Sequence, residues 1–157
     1  TSAALPHRIF PPVFNRYGVG ETYGLHVDAA IMRIPETNDV LRSDLSATIF
    51  LNNPDEYDGG ELLISTDYGD RKVKLSAGDA LLYPSASLHQ VTPVTAGVRH
   101  AAITWIQSMV PDLEIRNSLF TLDQTIQSLV ETGRADRQQL DALHCVYHNL
   151  IRHHAQL

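Results

Sequence analysis

Short apolar segments, each closed by turn chemistry, fill the stretch from Ser46 to Ile106, and few folds accept such a pattern. Ser46-Ala47-Thr48-Ile49-Phe50-Leu51 is rich in strand-favouring residues and stops at Asn52-Asn53-Pro54. Glu61-Leu62-Leu63-Ile64-Ser65 follows the Gly59-Gly60 turn. Arg71-Lys72-Val73-Lys74-Leu75 alternates after Tyr68-Gly69-Asp70, so the two segments read as a hairpin. Asp79 to Tyr83 stops at Pro84, His89 to Thr92 stops at Pro93, and Arg99 to Ile106 is the longest run. Many short strands at roughly 8–12-residue spacing point to a sandwich or barrel. We therefore expect a β-core over residues 1–110. The polar stretch from Arg33 to Asp44 lacks periodicity and reads as a loop where a lid would sit.

Residues 111–157 change character. Leu119, Leu122, Ile126 and Leu129 recur at helical spacing and Gly133 supplies a stop. Asp136 with Gln139 resembles a capping box, and Leu140, Leu143, Tyr147, Leu150 and Ile151 mark a second amphipathic helix. The expectation is a helical hairpin packed on the core or against a second subunit, which would make a homodimer. On the second helix, His144 and His148 lie four apart, with His153 and His154 beyond. With no third ligand nearby, they read as a solvated or dimer-facing stripe. Cys145 reads as a small packed hydrophobe.

Composition excludes several classes. The chain has 157 residues, 43% of them hydrophobic, and a net charge of −6. Its only lysines are Lys72 and Lys74 and it has no basic run, so no nucleic-acid partner is expected. No apolar stretch approaches the roughly 20 residues of a membrane span. A single cysteine allows no intrachain disulfide and suits the cytoplasm. The start at Thr1, without Met, suggests a fragment of a longer protein.

The residues that carry chemistry are His26, Asp28, His89 and Arg99. With 8 histidines in 157 residues, a lone His-x-Asp is close to what chance supplies. Context raises it. Residues two apart on a strand share a side, so His26 and Asp28 can face one ion with Val27 turned into the wall. His89 would arrive on a neighbouring strand. Two imidazoles and a carboxylate form the facial donor set of non-haem Fe(II) oxygenases, and three positions stay open for a keto acid and oxygen. No cysteine lies near to suggest structural zinc. Arg99 opens an apolar strand, where a buried cation needs a partner; its fork matches a carboxylate. A non-enzymatic iron-sensing β-barrel is the main rival, and it has no need of an anion clamp. A zinc hydrolase would need a general base, and none is evident beside the triad. Tyr17 and Tyr23 read equally well as core aromatics, and Trp105 as a pocket wall or core residue. His100 should point away from Arg99. Arg33 and Arg42 flank the expected lid and read as substrate contacts or solvated charges.

The ordered motifs resemble a known family. Tyr17-x-x-Gly20-x-x-Tyr23-x-x-His26-x-Asp28 is similar to the entry motif of the prolyl-hydroxylase-like Fe(II)/2-oxoglutarate dioxygenases. Thr48 to Asn52, Asp58-Gly59-Gly60-Glu61-Leu62, Gly78-Asp79, Pro84-Ser85 through His89 to Pro93-Val94, Gly97-x-Arg99 and Trp105 follow in that family's order. The strongest resemblance is to bacterial PKHD-type hydroxylases, some of which are linked to iron uptake. It implies a double-stranded β-helix (jelly-roll) core, with Fe(II) held by His26, Asp28 and His89. It further implies 2-oxoglutarate gripped by Arg99, with Tyr17 donating to the same carboxylate. O2 would be the oxidant and ascorbate the reductant. Succinate and CO2 would be released as a peptide or small-molecule substrate is hydroxylated. Asp28 favours hydroxylation, because halogenating relatives carry a small residue there. Phe50 stands where some relatives have a co-substrate-binding Tyr, and takes a packing role.

Overall fold

The computed structural model describes residues 3–157. In chain order the strands are β1 (Pro6–Ile9), β2 (Val13–Tyr17), β3 (Tyr23–His26), β4 (Ile31–Arg33), β5 (Val40–Arg42), β6 (Leu45–Phe50) and β7 (Tyr57–Gly59). β8 (Leu62–Thr66), β9 (Gly69–Val73), β10 (Ala80–Pro84), β11 (His89–Val91), β12 (Val94–Gly97) and β13 (Arg99–Ser108) follow. Helices α1 (Leu113–Thr132) and α2 (Arg137–His154) end the chain. Two compact units emerge: Arg8–Gln107, and Ser108–Leu157 joined by the described N-terminal residues up to His7.

The β unit is a jelly roll. One sheet runs β1-β13-β6-β10, with β2 also paired to β13; the other runs β3-β11-β8-β9. Phe50 and Tyr83 of the first sheet pack on Leu62 and Ile64 of the second, so the core lies between the sheets. The hairpin expected from the Gly69 turn is present, with β8 and β9 paired Leu62↔Val73 through Thr66↔Gly69. The Arg33–Asp44 stretch departs from the expectation of an irregular lid. β4 and β5 pair Ile31↔Arg42 through Arg33↔Val40, and Leu41 is fully buried. A strand of three residues is too short to announce a period, so pairing rather than pattern orders it. Arg42 is committed to Asp44 at 2.8 Å, which takes it out of the role of a free substrate contact.

The helical unit has its own core of Leu5, Val110 and Leu119, with Tyr147, Leu150 and Ile151 packed against it. Asp112 caps α1 by accepting from the Ile115 N–H, and Gly133 ends it in the left-handed region at φ 62°. The Asp136–Gln139 capping box opens α2 as read from sequence. Asp136→Ala should cost about 1 kcal/mol in a urea melt, because the N-terminal amides of α2 lose their acceptor. Cys145 is exposed, contrary to its reading as a packed residue: Tyr147, Leu150 and Ile151 define the partly buried, core-facing stripe of α2, and position 145 lies off it. No helix among the described residues is long and apolar enough to cross a membrane.

Candidate metal and co-substrate site

Strand register brings the two histidines together. His89 of β11 is the direct cross-strand partner of His26, the last residue of β3. Asp28 sits just beyond the end of β3 and not on the strand. Its backbone N–H donates to Ser85 O at 3.2 Å. The three residues still converge: one ligand atom from each lies within 4.8 Å of the others. His26 Nε2 is 3.6 Å from Asp28 Oδ1, and His89 Nε2 is 3.8 Å from Asp28 Oδ2. His89 is buried, and His26 keeps partial access to solvent.

Backbone carbonyls settle the tautomers. His26 Nδ1 lies 2.7 Å from Gly24 O, and His89 Nδ1 lies 2.9 Å from Ser87 O. A carbonyl can only accept, so each Nδ1 carries the proton and each Nε2 presents its lone pair inward. Metal-binding histidines are oriented in this way. The donor set therefore fits a divalent transition ion that accepts imidazole and carboxylate, with one face left for other ligands.

Arg99 lies in the same cavity as the triad, a space of about 300 Å³ also bounded by Val13, Tyr17, Leu62, Tyr83 and Trp105. It is 1% exposed. No carboxylate among the described residues pairs with it, and its Nε has no hydrogen-bond partner. Tyr17 is its cross-strand partner. The guanidinium carbon sits 5.4 Å from the Tyr17 ring centre and 5.7 Å from that of Phe50. Burial lowers the Arg99 pKa, while nearby phenols oppose the shift. The phenols themselves stay neutral. Burial raises Tyr17 and Tyr57, and pushes Tyr83 up to about 12 against the lowering effect of the Thr48 hydroxyl. Tyr57 Oη is beside Arg99, yet meets hydrogen-bond geometry with no group. A guanidinium this deep, ringed by neutral groups, fits an anion brought from outside the chain, and a carboxylate matches its fork.

Glycine shapes the back of this clamp. Gly60 has φ 63°, and a Cβ there would stand 3.0 Å from Val94 Cγ2 and 3.1 Å from Arg99 Cδ. Gly60→Ala should therefore cost about 1–3 kcal/mol in chemical unfolding, through left-handed strain and displacement of the Arg99 stem.

Of the residues singled out from sequence, His26, Asp28, His89, Arg99 and Tyr17 all line this cavity, as does Trp105. Tyr23 lines its rim, 53% exposed and edge-on to His26, and is no core aromatic. His100 points out and bonds Asn52, as expected of a neighbour of Arg99. Phe50 is fully buried packing. Sequence reading missed Ser46, Thr48, Tyr57 and Tyr83. A signal existed for two of them: Ser46 and Thr48 put hydroxyls at alternate positions of an otherwise apolar, buried strand.

Comparison with known proteins agrees with this geometry. Residues 12–107 match the family model of the 2OG-Fe(II) oxygenase superfamily, and residues 114–156 match that of the PKHD-type hydroxylase C-terminal domain. A PKHD-type hydroxylase of Alteromonas mediterranea is 65% identical over 156 residues, which are 99% of this chain and 69% of that protein. One from Shewanella frigidimarina is 62% identical with the same coverage. The structure of a Pseudomonas putida prolyl-4-hydroxylase superposes with a TM-score of 0.52 at 24% identity, over 67% of this chain and 55% of that one, a likeness of fold. On both family matches and on the identity to these relatives, the chain belongs to the PKHD-type hydroxylases of the 2OG-Fe(II) oxygenase superfamily.

Proposed function

We propose that His26, Asp28 and His89 hold Fe(II), that Arg99 grips the distal carboxylate of 2-oxoglutarate, and that the chain hydroxylates an uncharged group of its substrate. Iron in this site supplies dioxygen activation, coupled to conversion of 2-oxoglutarate and O2 into succinate and CO2 as a substrate C–H becomes C–OH. The chain's own residues bind, orient and exclude water. His26 and His89 present Nε2 lone pairs held by their Nδ1 bonds. Arg99 supplies a bidentate fork, and the Tyr17 phenol, held neutral by burial, stands beside it as a second donor. Val13, Leu62, Val91 and Trp105 make the walls largely apolar.

Among the described residues, Asp28 and Arg99 are the only Asp, Glu, Lys or Arg side chains lining the cavity, and both have assigned tasks. The substrate group that enters is accordingly uncharged. A prolyl ring meets that demand, and prolyl hydroxylases of this fold are known from Pseudomonas putida and Trichoplax adhaerens. An aliphatic position of a free amino acid or of a small iron-chelating molecule meets it too. The second would connect the chain with iron uptake, as the family resemblance suggests. A reducing compartment, with ascorbate as reductant, suits both Fe(II) and the exposed thiol of Cys145.

The observation that carries this reading is the buried, anionless guanidinium in the same cavity as the triad. An iron sensor would bear the cost of burying Arg99 for no return. The test is succinate and CO2 formation from 2-oxoglutarate with Fe(II), ascorbate and air, with and without candidate substrates. Oxygen-dependent succinate release is expected even without substrate, at a slow uncoupled rate. Iron binding with no turnover under any condition would favour the sensor.

A further inference from the structure

The structure assigns Ser46, backed by Ser85, as a positioning residue that holds Asp28 to binding metal through a single oxygen. This rests on the metal site proposed above and adds a requirement to it.

Asp28 is the one member of the triad outside the strand ladder, just past the end of β3. A ligand there needs other restraints, and the serines supply them. Ser46 Oγ donates to Asp28 Oδ2. Ser46 Oγ and Ser85 Oγ are 2.8 Å apart. Ser46 has one proton and spends it on Asp28, so Ser85 must be the donor in the serine pair. The resulting chain runs Ser85 to Ser46 to Asp28, each bond polarising the next. Ser85 closes the loop from the other side, since its carbonyl accepts the Asp28 N–H at 3.2 Å. Ser85 is fixed in turn by donating its own N–H to Asp44 O at 3.2 Å. Both serines are buried, at 3% and 2% exposure, so water does not compete for these bonds.

Oδ2 faces His89 Nε2 at 3.8 Å but is engaged by Ser46, while Oδ1 faces His26 Nε2 at 3.6 Å without a competing donor among the described residues. An aspartate free to rotate could close both oxygens on the ion and take a fourth coordination position. A bidentate keto acid and dioxygen need three positions beyond the triad, so such closure would leave too few. By drawing on a lone pair of Oδ2, Ser46 makes that oxygen the weaker ligand and favours binding through Oδ1.

The probe is Co(II), titrated anaerobically into the whole protein and followed by its ligand-field absorption, with 2-oxoglutarate added afterwards. His89→Ala marks which Co(II) signal belongs to the triad. Ser46→Ala is expected to weaken Co(II) binding by about 10–100-fold, to change the ligand-field spectrum and to weaken 2-oxoglutarate binding to the Co(II) form, with a cooperative melt retained. Ser46→Thr keeps the hydroxyl and should restore affinity and spectrum. Ser85→Ala leaves Ser46 in place and should produce a smaller loss of the same kind. Wild-type Co(II) affinity and spectrum in a folded Ser46→Ala protein would overturn the inference. So would a Ser46→Thr protein as impaired as the alanine variant. If Ser46→Ala does not fold, Ser85→Ala decides, and wild-type behaviour there overturns the inference. A wild-type protein whose Co(II) signal survives His89→Ala would instead remove the metal site itself, and the inference with it.

Discussion

His89→Ala is expected to abolish succinate release while leaving the β-core folded. Removing a group that only orients a metal ligand costs about 10–100-fold, so removing a ligand should cost more than ~100-fold. His89 is the critical choice among the three. It is the most buried, at 5% exposure, and is fixed both by the Ser87 carbonyl and by strand pairing to Ile64 of β8. Two donors cannot hold the ion against free 2-oxoglutarate and buffer. The loss should therefore appear in Co(II) titration as well as in turnover, and extra Fe(II) should not rescue it. Circular dichroism separates loss of the ligand from loss of fold, because the alanine removes no backbone hydrogen bond. Turnover equal to wild type would remove the triad from the mechanism.

The strands of the core were legible because each is bounded by residues that cannot continue it. Pro84 and Pro93 stop two of them, and Gly59-Gly60 turns between two others. The observed β6, β8, β9, β10, β11 and β13 lie within two residues of the segments read from these signals. The helix ends were legible for the same reason, since Gly133 and the Asp136–Gln139 pair act locally. Pairing was not legible. That His26 faces His89, or that Tyr17 faces Arg99, follows from long-range register, which no local period encodes. The resemblance to a family brought those residues together; the alternation did not. Asp28 shows the limit well. The two-residue spacing suggested a strand face, yet the strand ends at His26, and the Ser46 hydroxyl and the Ser85 carbonyl bond the aspartate. Tyr57 and Tyr83 escaped because a buried phenol that tunes a neighbour looks, in sequence, like any strand aromatic. The β4–β5 hairpin escaped because three-residue strands carry too few positions to show alternation.

Arg99→Met is expected to move stability and co-substrate binding in opposite directions. The guanidinium is 1% exposed and has no carboxylate partner among the described residues, so folding desolvates a cation that only aromatic rings and neutral phenols partly compensate. Methionine fills a similar volume against Phe50, Tyr17 and Gly60 and removes that burden. Replacement of buried charge by well-packed apolar groups commonly stabilises by about 1–4 kcal/mol, so the melting temperature without 2-oxoglutarate should rise. Alanine would confuse the comparison by leaving a cavity. Binding should show the reverse. Truncating one partner of a buried charge pair costs about 2–5 kcal/mol, on the order of 30-fold or more in Kd. The wild-type protein loaded with metal and 2-oxoglutarate at 100 times its Kd should gain about 2.7 kcal/mol of stability, a gain the Met variant should largely lose. Arg99→Lys should fall between, because an ammonium keeps the charge but not the planar fork. Metal affinity should be little changed in both variants, since Arg99 is not one of the converging metal donors. A Met variant that is less stable than wild type without 2-oxoglutarate and binds it equally well would show that Arg99 serves the fold. The anion clamp, and with it the case against a mere iron sensor, would then be lost.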